Sequence, residues 1–245
     1  MDEKLEHLLE DTGFFNLLGV QHRHARSPKT FPLDRIPHMQ GTQCEGEDVE
    51  KLQAKIFGDT TKLDVVGKAK LYRGVTEAIT NVIHHAYPPN YRGRYPVTKN
   101  QWWMTGHINR LRKDLVIVLF DLGVTIPLTL PLKYTKEFIY SLLGILGLTE
   151  PVDGALIKAA MEIGRSRIDT EAGHRGKGLR QMGEIVEQSG GSLHILSRRG
   201  DYTYYGTGAD KTMTNERALH GTLIEWRVPL QKFAAFAVQE DENGA

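Results

Sequence analysis

The strongest constraint in the sequence is a long amphipathic segment that stops at a pair of prolines. Over residues 66–86 the apolar side chains recur at helical spacing, at Leu71, Val75, Ala78, Ile79, Val82, Ile83 and Ala86. Such a stripe predicts a long helix with one face on a hydrophobic core, and Pro88 and Pro89 end it. The rest of the chain must supply a surface that covers this apolar face.

That surface is predicted to be a β-sheet. Residues 101–109 and 115–120 flank a polar turn and predict a hairpin, and the second strand, LVIVLF, is apolar on both faces and therefore central. Further elements are predicted as helices over residues 153–163 and 177–188 and as strands over residues 192–197, 201–205 and 222–228. Helices that alternate with antiparallel strands predict an α/β fold, a two-layer α/β sandwich.

Composition and charge disfavour several classes of protein. The 245 residues carry 31 Lys and Arg against 30 Asp and Glu, a net charge of +1, which gives no electrostatic sign of a nucleic-acid partner. Asp121 and Pro127 interrupt the longest apolar stretch, and no membrane span is predicted. A single cysteine, Cys44, and an acidic N-terminus unlike a secretory signal predict a cytoplasmic location.

The first of four places that can carry chemistry is the predicted long helix. Glu77 and Asn81 are four residues apart and share a face, and His85 lies one turn further. A carboxylate that can act as a base, beside an amide oxygen that can bind a hard cation, suits magnesium nucleotide chemistry. The plain alternative is a solvated face of an amphipathic helix.

The other three places lie at the ends of predicted strands and helices. Asp121 ends the central strand and suits a buried acceptor for a ligand amino group, and Gly123 lets the backbone approach that ligand. The alternative is an ordinary strand end followed by a glycine turn. The glycine-rich residues 173–179 open a helix whose backbone N–H groups can bind an anion, unless they form an ordinary loop. Gly221 and Thr222 begin the last strand, where the threonine hydroxyl could support a ligand. By themselves these two residues are better explained by a turn that opens the strand.

Taken in order, these places resemble the N, G1, G2 and G3 boxes of the GHKL superfamily, the ATP-binding proteins that include gyrase, Hsp90-type chaperones, histidine kinases and MutL-type proteins. Residues 77–86 resemble the N box, residues 121–127 G1, residues 176–179 G2, and Gly221-Thr222 with Pro229 G3. The stretch EQSGGSLHILSRRG between G2 and G3 is similar to the same segment of histidine kinases and anti-sigma-factor kinases. The resemblance covers residues 66–230.

The resemblance implies a Bergerat ATP-binding fold with a mixed, mainly antiparallel sheet, a lid over residues 128–171, and ATP and Mg²⁺ as cofactors. Asp121 would accept the adenine amino group, Asn81 would bind Mg²⁺, and Glu77 would be the catalytic base. The other implied nucleotide-binding residues are Gly123 and Ile126 in G1, Gly176, Lys177, Gly178 and Leu179 at the phosphates, and Thr222 behind the adenine. Thr125 departs from the pattern, which usually has a second glycine there.

Three regions are predicted along the chain. Residues 1–65 are an N-terminal appendage of uncertain fold, residues 66–230 the ATP-binding domain, and residues 231–245 a tail. Prolines within residues 22–42 predict an extended or looped stretch and argue against the acceptor-histidine hairpin of a histidine kinase. Too few residues follow residue 230 for the additional domain of gyrase-type and MutL-type proteins.

The leading hypothesis is an ATP-binding protein similar to anti-sigma-factor kinases. It would hydrolyse ATP or transfer the γ-phosphate to a Ser or Thr of a protein partner in a regulatory role. The alternative is a non-catalytic module in which ATP selects a conformation that a partner recognises. A third reading assigns the basic residues 22–26 and 110–113 to nucleic-acid binding, which the net charge disfavours. The oligomeric state, including a homodimer, stays open.

Overall fold

The computed structural model describes residues 33–44, 65–91, 98–109, 111–165 and 177–230. These residues form an α/β fold of two layers, with five strands in one sheet and α-helices packed against it. No helix within these ranges is long and apolar enough to cross a membrane. The predicted tail at residues 231–245 lies outside them.

The sheet is antiparallel, with strand order β1-β2-β3-β5-β4. The strands are β1 (Leu33–Gly41), β2 (Trp102–Asn109), β3 (Asp114–Asp121), β4 (Ser192–Tyr205) and β5 (Asp210–Pro229). Strands β2 and β3 confirm the predicted hairpin, and β3 is the central strand as predicted. The mixed sheet that the resemblance implies is not observed, because every pair of described strands is antiparallel.

The β4–β5 end of the sheet differs from the prediction. Residues 192–205 form one strand rather than two, and β4 changes register near Arg198, which has a φ of 57°. Strand β5 begins at Asp210 instead of near Thr222. Most side chains in its first half are exposed, so that half lacks the alternation of buried residues by which a strand is recognised in sequence. The predicted division into three strands is therefore wrong.

Strand β1 comes from the region predicted as the appendage. It pairs with β2 at one edge of the sheet, and its register shifts between Ile36 and Met39, around Pro37. Proline has no N–H to donate to a strand ladder, which is why the irregularity falls there. The extended form predicted within residues 22–42 is confirmed for β1. The sheet thus begins before residue 66, and the predicted domain boundary stays a prediction.

Five α-helices accompany the sheet in the described ranges. They are α1 (Val65–Asn81), α2 (Ile126–Lys133), α3 (Lys136–Ile145), α4 (Asp153–Arg165) and α5 (Lys177–Ser189). The long helix predicted over residues 66–86 is confirmed as α1 followed by a π-helical turn, Val82–Ala86. The helices predicted near residues 153 and 177 are confirmed as α4 and α5. Such π-helical turns are frequent at functional sites.

Helices α1 and α5 and one face of the sheet form the main hydrophobic core. Leu71 and Val75 of α1 belong to the same cluster as Ile117 and Trp226 of the sheet, and each of these side chains is at most 1% exposed. The indole N–H of Trp226 donates to the main-chain oxygen of Met182 in α5 at 2.9 Å. The apolar stripe of α1 is therefore buried as the sequence predicts.

A second hydrophobic cluster lies among α2, α3 and α4. Leu130, Leu143 and Ala159, one from each helix, are buried in it. Residues 126–165 thus consist mainly of packed helices, and the lid over residues 128–171 stays a prediction. Residues 166–171 lie outside the described ranges.

Candidate functional site

A pocket that opens to solvent lies between the two hydrophobic clusters, and its space together with the open solvent at its mouth is about 900 Å³. One face of α1 and its π-helical turn lines it with Ala78, Asn81, Val82, His85 and Ala86, and one face of α2 lines it with Ile126, Thr129, Leu130, Lys133 and Tyr134. Both sets recur at helical spacing. The sheet contributes Asp121, Thr222 and Ile224. The pocket therefore brings together side chains from three of the four predicted places.

Asp121 is the buried carboxyl of this pocket. It stands at the end of the central strand β3 and is 4% exposed. Its Oδ1 accepts the N–H of Gly123 at 2.8 Å, and the carboxyl also accepts the N–H of Thr222 on β5. Burial raises the pKa of Asp121 to about 7, although both hydrogen bonds oppose that rise. A carboxyl held in a mostly apolar pocket at such a cost is typical of a functional site.

Gly123 fits the loop against the end of the π-helical turn. The N–H of Val124 donates to the main-chain oxygen of Ala86 at 2.6 Å. A Cβ at Gly123 would lie 2.3 Å from the same oxygen. Glycine is needed because the loop after Asp121 packs directly against the main chain of Ala86. The sequence predicts a different reason, an approach of the backbone to a ligand. Gly123 is not among the residues that line the pocket.

Thr125 stands where the family pattern usually has a second glycine. Its φ of −79° and ψ of 155° are extended backbone that any residue can adopt. The side chain is buried, and its hydroxyl has no hydrogen-bond partner in the described part of the chain. The departure from the family pattern therefore causes no backbone strain in this loop.

Thr222 reaches the pocket through a small network of buried hydroxyls. Its Oγ1 lies 2.8 Å from the Oγ of Ser197 on β4, and that Oγ accepts the N–H of Ile126 at 2.9 Å. The network joins β4, β5 and the first residue of α2. Sequence reasoning missed Ser197, although a serine at an inward position of an alternating strand is a signal for a buried polar group.

Two tyrosines after the π-helical turn hold the loop that follows Asp121. The hydroxyl of Tyr87 accepts the N–H of Leu122 at 3.1 Å and donates to the main-chain oxygen of Gln101 at 2.7 Å. The hydroxyl of Tyr91 donates to the main-chain oxygen of Leu122 at 2.7 Å. Burial raises the pKa of Tyr87 to about 12, so its hydroxyl keeps its proton. Both tyrosines were missed from sequence, since their partners are distant along the chain.

The remaining predicted residues lie away from the pocket wall or outside the described ranges. Glu77 lies on α1, one turn before Asn81, and does not line the pocket. Lys177, Gly178 and Leu179 form the first turn of α5. Gly176 lies outside the described residues. The pocket thus contains residues from the places predicted as N, G1 and G3. Of the place predicted as G2, the structure describes only the backbone of the first turn of α5.

Comparison with models of known protein families and with curated proteins gives no match for this chain. The candidate site is therefore defined by the positions and contacts of its residues.

Gly221 provides a test of how tightly the Asp121 end of the pocket is built. Its φ is 94°, and an added Cβ would lie 1.8 Å from the main-chain oxygen of Asp121. Gly208 has a similar φ of 90° with nothing within 4 Å of an added Cβ, so Gly208→Ala is the matched control. We expect Gly208→Ala to lower the free energy of unfolding by about 1 kcal/mol and Gly221→Ala to lower it clearly more. Urea unfolding measures both, and equal losses would contradict the close contact.

Proposed function

We propose that the pocket binds ATP together with Mg²⁺, and that the chain is an ATP-binding protein of the GHKL type with a Bergerat fold. The observation that carries the proposal is Asp121, a buried carboxyl at the end of the central strand in a mostly apolar pocket. Asn81 and Thr222, assigned to the N and G3 boxes, line the same pocket although they are far apart in sequence. This convergence supports the resemblance.

The Asp121 end of the pocket suits an adenine ring. Ionised Asp121 would accept a hydrogen bond from the adenine amino group, because a carboxylate has acceptor positions beyond the two that its backbone donors use. Val82, Met182 and Ile224 line the pocket with apolar surface against which the flat ring can pack. Guanine carries an oxygen in place of that amino group, and its oxygen would face the carboxylate without a proton between them.

Asn81 is the residue that would bind Mg²⁺. Its amide oxygen would be the ligand, whereas its Nδ2, a donor that cannot bind a cation, is buried and has no hydrogen-bond partner in the described part of the chain. Mg²⁺ usually takes one or two protein oxygens and leaves its other positions to phosphates and water. The first turn of α5, with Lys177, Gly178 and Leu179, would direct backbone N–H groups at the phosphates.

The proposed reaction is hydrolysis of ATP or transfer of its γ-phosphate to a Ser or Thr of a protein partner. Glu77 would take the proton from the attacking water or hydroxyl. The alternative is a non-catalytic module whose conformation ATP selects for a partner. The observation behind this alternative is that Glu77 does not line the pocket. Detection of γ-phosphate release or transfer, with proteins encoded beside this one as partners, separates the two.

Thermal unfolding with different nucleotides tests the choice of ligand. A ligand that binds only the folded state raises the unfolding midpoint. We expect ATP with Mg²⁺ to raise the midpoint and GTP with Mg²⁺ to leave it near the value of the free protein. Equal shifts with ATP and GTP would show that Asp121 does not select the base.

Replacement of Asn81 tests the magnesium assignment. We expect Asn81→Ala to abolish the increase in ATP affinity that Mg²⁺ produces, because no other side-chain oxygen on that face of the helix lines the pocket. The control is Asn90→Ala, at an exposed position that does not line the pocket. Calorimetric titrations with and without Mg²⁺ measure the difference. An equal effect of Mg²⁺ on the wild type and on Asn81→Ala would exclude Asn81 as the ligand.

A further inference from the structure

Helix α2 presents a single face to the pocket along its entire length. Its lining residues are Ile126, Thr129, Leu130, Lys133 and the following Tyr134. At a rise of 1.5 Å per residue, the helix carries this face for roughly 10 Å from Ile126 to Lys133. The two ends of the face differ in chemistry, since one is apolar and the other is cationic.

The Ile126 end of α2 is fixed to the Asp121 end of the sheet. The N–H of Ile126 donates to Ser197, which is hydrogen-bonded to Thr222, the register partner of Asp121 on β5. The hydrogen bond from the N–H of Val124 to the main-chain oxygen of Ala86 joins the π-helical turn to the same corner of the pocket, the one next to Asp121. A base whose amino group meets Asp121 therefore lies in this corner. The sugar and phosphates would extend away from it through the pocket, between α1 and α2.

Lys133 stands at the opposite end of that face. Among the described residues that line the pocket, it is the only lysine or arginine. The phosphates of ATP carry several negative charges, and a charged donor next to them forms a strong hydrogen bond. We propose that Lys133 binds the phosphate chain of the nucleotide. The inference rests on the proposed function, because it requires that ATP occupies this pocket.

The packing around Lys133 holds its backbone in place. The N–H of Tyr134 donates to the main-chain oxygen of Leu130 at 3.2 Å, and the ring of Tyr134 stacks on Phe138 with 5.2 Å between centroids. Leu130 is itself buried in the second hydrophobic cluster. The end of α2 therefore belongs to a packed helical unit, which fixes where the Lys133 side chain begins.

Two lysine variants of the full chain test the inference. Lys133→Met removes the charge and keeps most of the side-chain length. Lys136→Met is the matched control, because Lys136 is also exposed and follows closely in the same helical unit but does not line the pocket. Calorimetric titration with ATP and Mg²⁺ and with adenosine gives both affinities. We expect Lys133→Met to lower the ATP affinity roughly tenfold or more and to leave the adenosine affinity unchanged, and Lys136→Met to change neither.

The adenosine titrations separate failure of the inference from failure of the proposed function. An ATP affinity of Lys133→Met equal to that of the wild type would overturn the inference. So would an equal fall for ATP and adenosine, because Lys133 would then act on the shape of the pocket. If the wild type binds adenosine and ATP equally tightly, the adenine site is supported and the inference that Lys133 binds the phosphates is overturned. If it binds neither, the proposed function itself fails.

Discussion

Glu77→Gln is expected to lower the rate of γ-phosphate release or transfer by about 10² to 10⁴ and to leave the affinity for ATP nearly unchanged. A general base acts on the nucleophile in the transition state, whereas Asp121 and Asn81 act on binding. Glutamine keeps the size and polarity of the side chain but cannot accept the proton. Phosphate release or transfer in the presence of a partner, measured beside ATP affinity, separates the two effects.

A matched control for this experiment is Glu137→Gln. Glu137 is an exposed carboxylate in the first turn of α3 and does not line the pocket. Wild-type turnover in Glu77→Gln would reduce Glu77 to a solvated residue of α1. Absence of turnover in both the wild type and the variant, with the partner present, would favour the nucleotide-gated module.

Asp121→Asn is expected to weaken ATP binding by about 1 to 3 kcal/mol, or roughly 5-fold to 150-fold. The asparagine can keep one acceptor oxygen for the N–H of Gly123, but it also introduces an amide donor in a buried corner. That donor would face the adenine amino group, so two donors would meet with no acceptor between them. Calorimetric titration measures the loss, and an unchanged affinity would remove the adenine assignment.

The same variant should change how stability depends on pH. Burial raises the pKa of Asp121 from 3.8 to about 7, so the folded protein keeps a proton that the unfolded chain has lost. Stability therefore falls as the pH rises from about 4 to 7, by at most about 4 kcal/mol from this group. Asp121→Asn removes that dependence. We expect its free energy of unfolding, relative to the wild type, to be higher at pH 8 than at pH 5.

ATP binding should depend on the same ionisation in the opposite sense. Only the carboxylate form of Asp121 accepts the adenine amino group without a competing proton. With a pKa of about 7 in the free protein, the ionised fraction rises from about one tenth at pH 6 to about nine tenths at pH 8. The wild-type affinity should therefore rise about tenfold over that range. Asp121→Asn should lack this rise. A wild-type affinity that is flat across this range would contradict the role of the carboxylate.

The sequence predicts the elements of the pocket because their patterns are strong. The apolar stripe of α1 and the continuous apolar run of β3 each allow a single interpretation, and both are confirmed. Their polar residues are predicted with them, which places Asn81 on the helix and Asp121 at the end of the strand. The pattern does not reveal that β5 lies between β3 and β4. That strand order puts Thr222 opposite Asp121.

Other parts of the site depend on contacts that local patterns do not contain. Helix α2 has Pro127 and Pro131 within eight residues, which hides it from helix prediction, and burial against α3 and α4 stabilises it. Ser197 and Tyr87 matter through hydrogen bonds to residues distant along the chain. The first half of β5 is extended because it pairs with β4, not because its side chains alternate.

The most direct test of the central claim is a calorimetric titration of the full chain with ATP and Mg²⁺ at pH 8. We expect saturable binding at one site, displaced by ADP and strongly weakened in Asp121→Asn. Absence of binding at millimolar ATP, or equal binding by the wild type and Asp121→Asn, would contradict an adenine nucleotide site between α1 and α2.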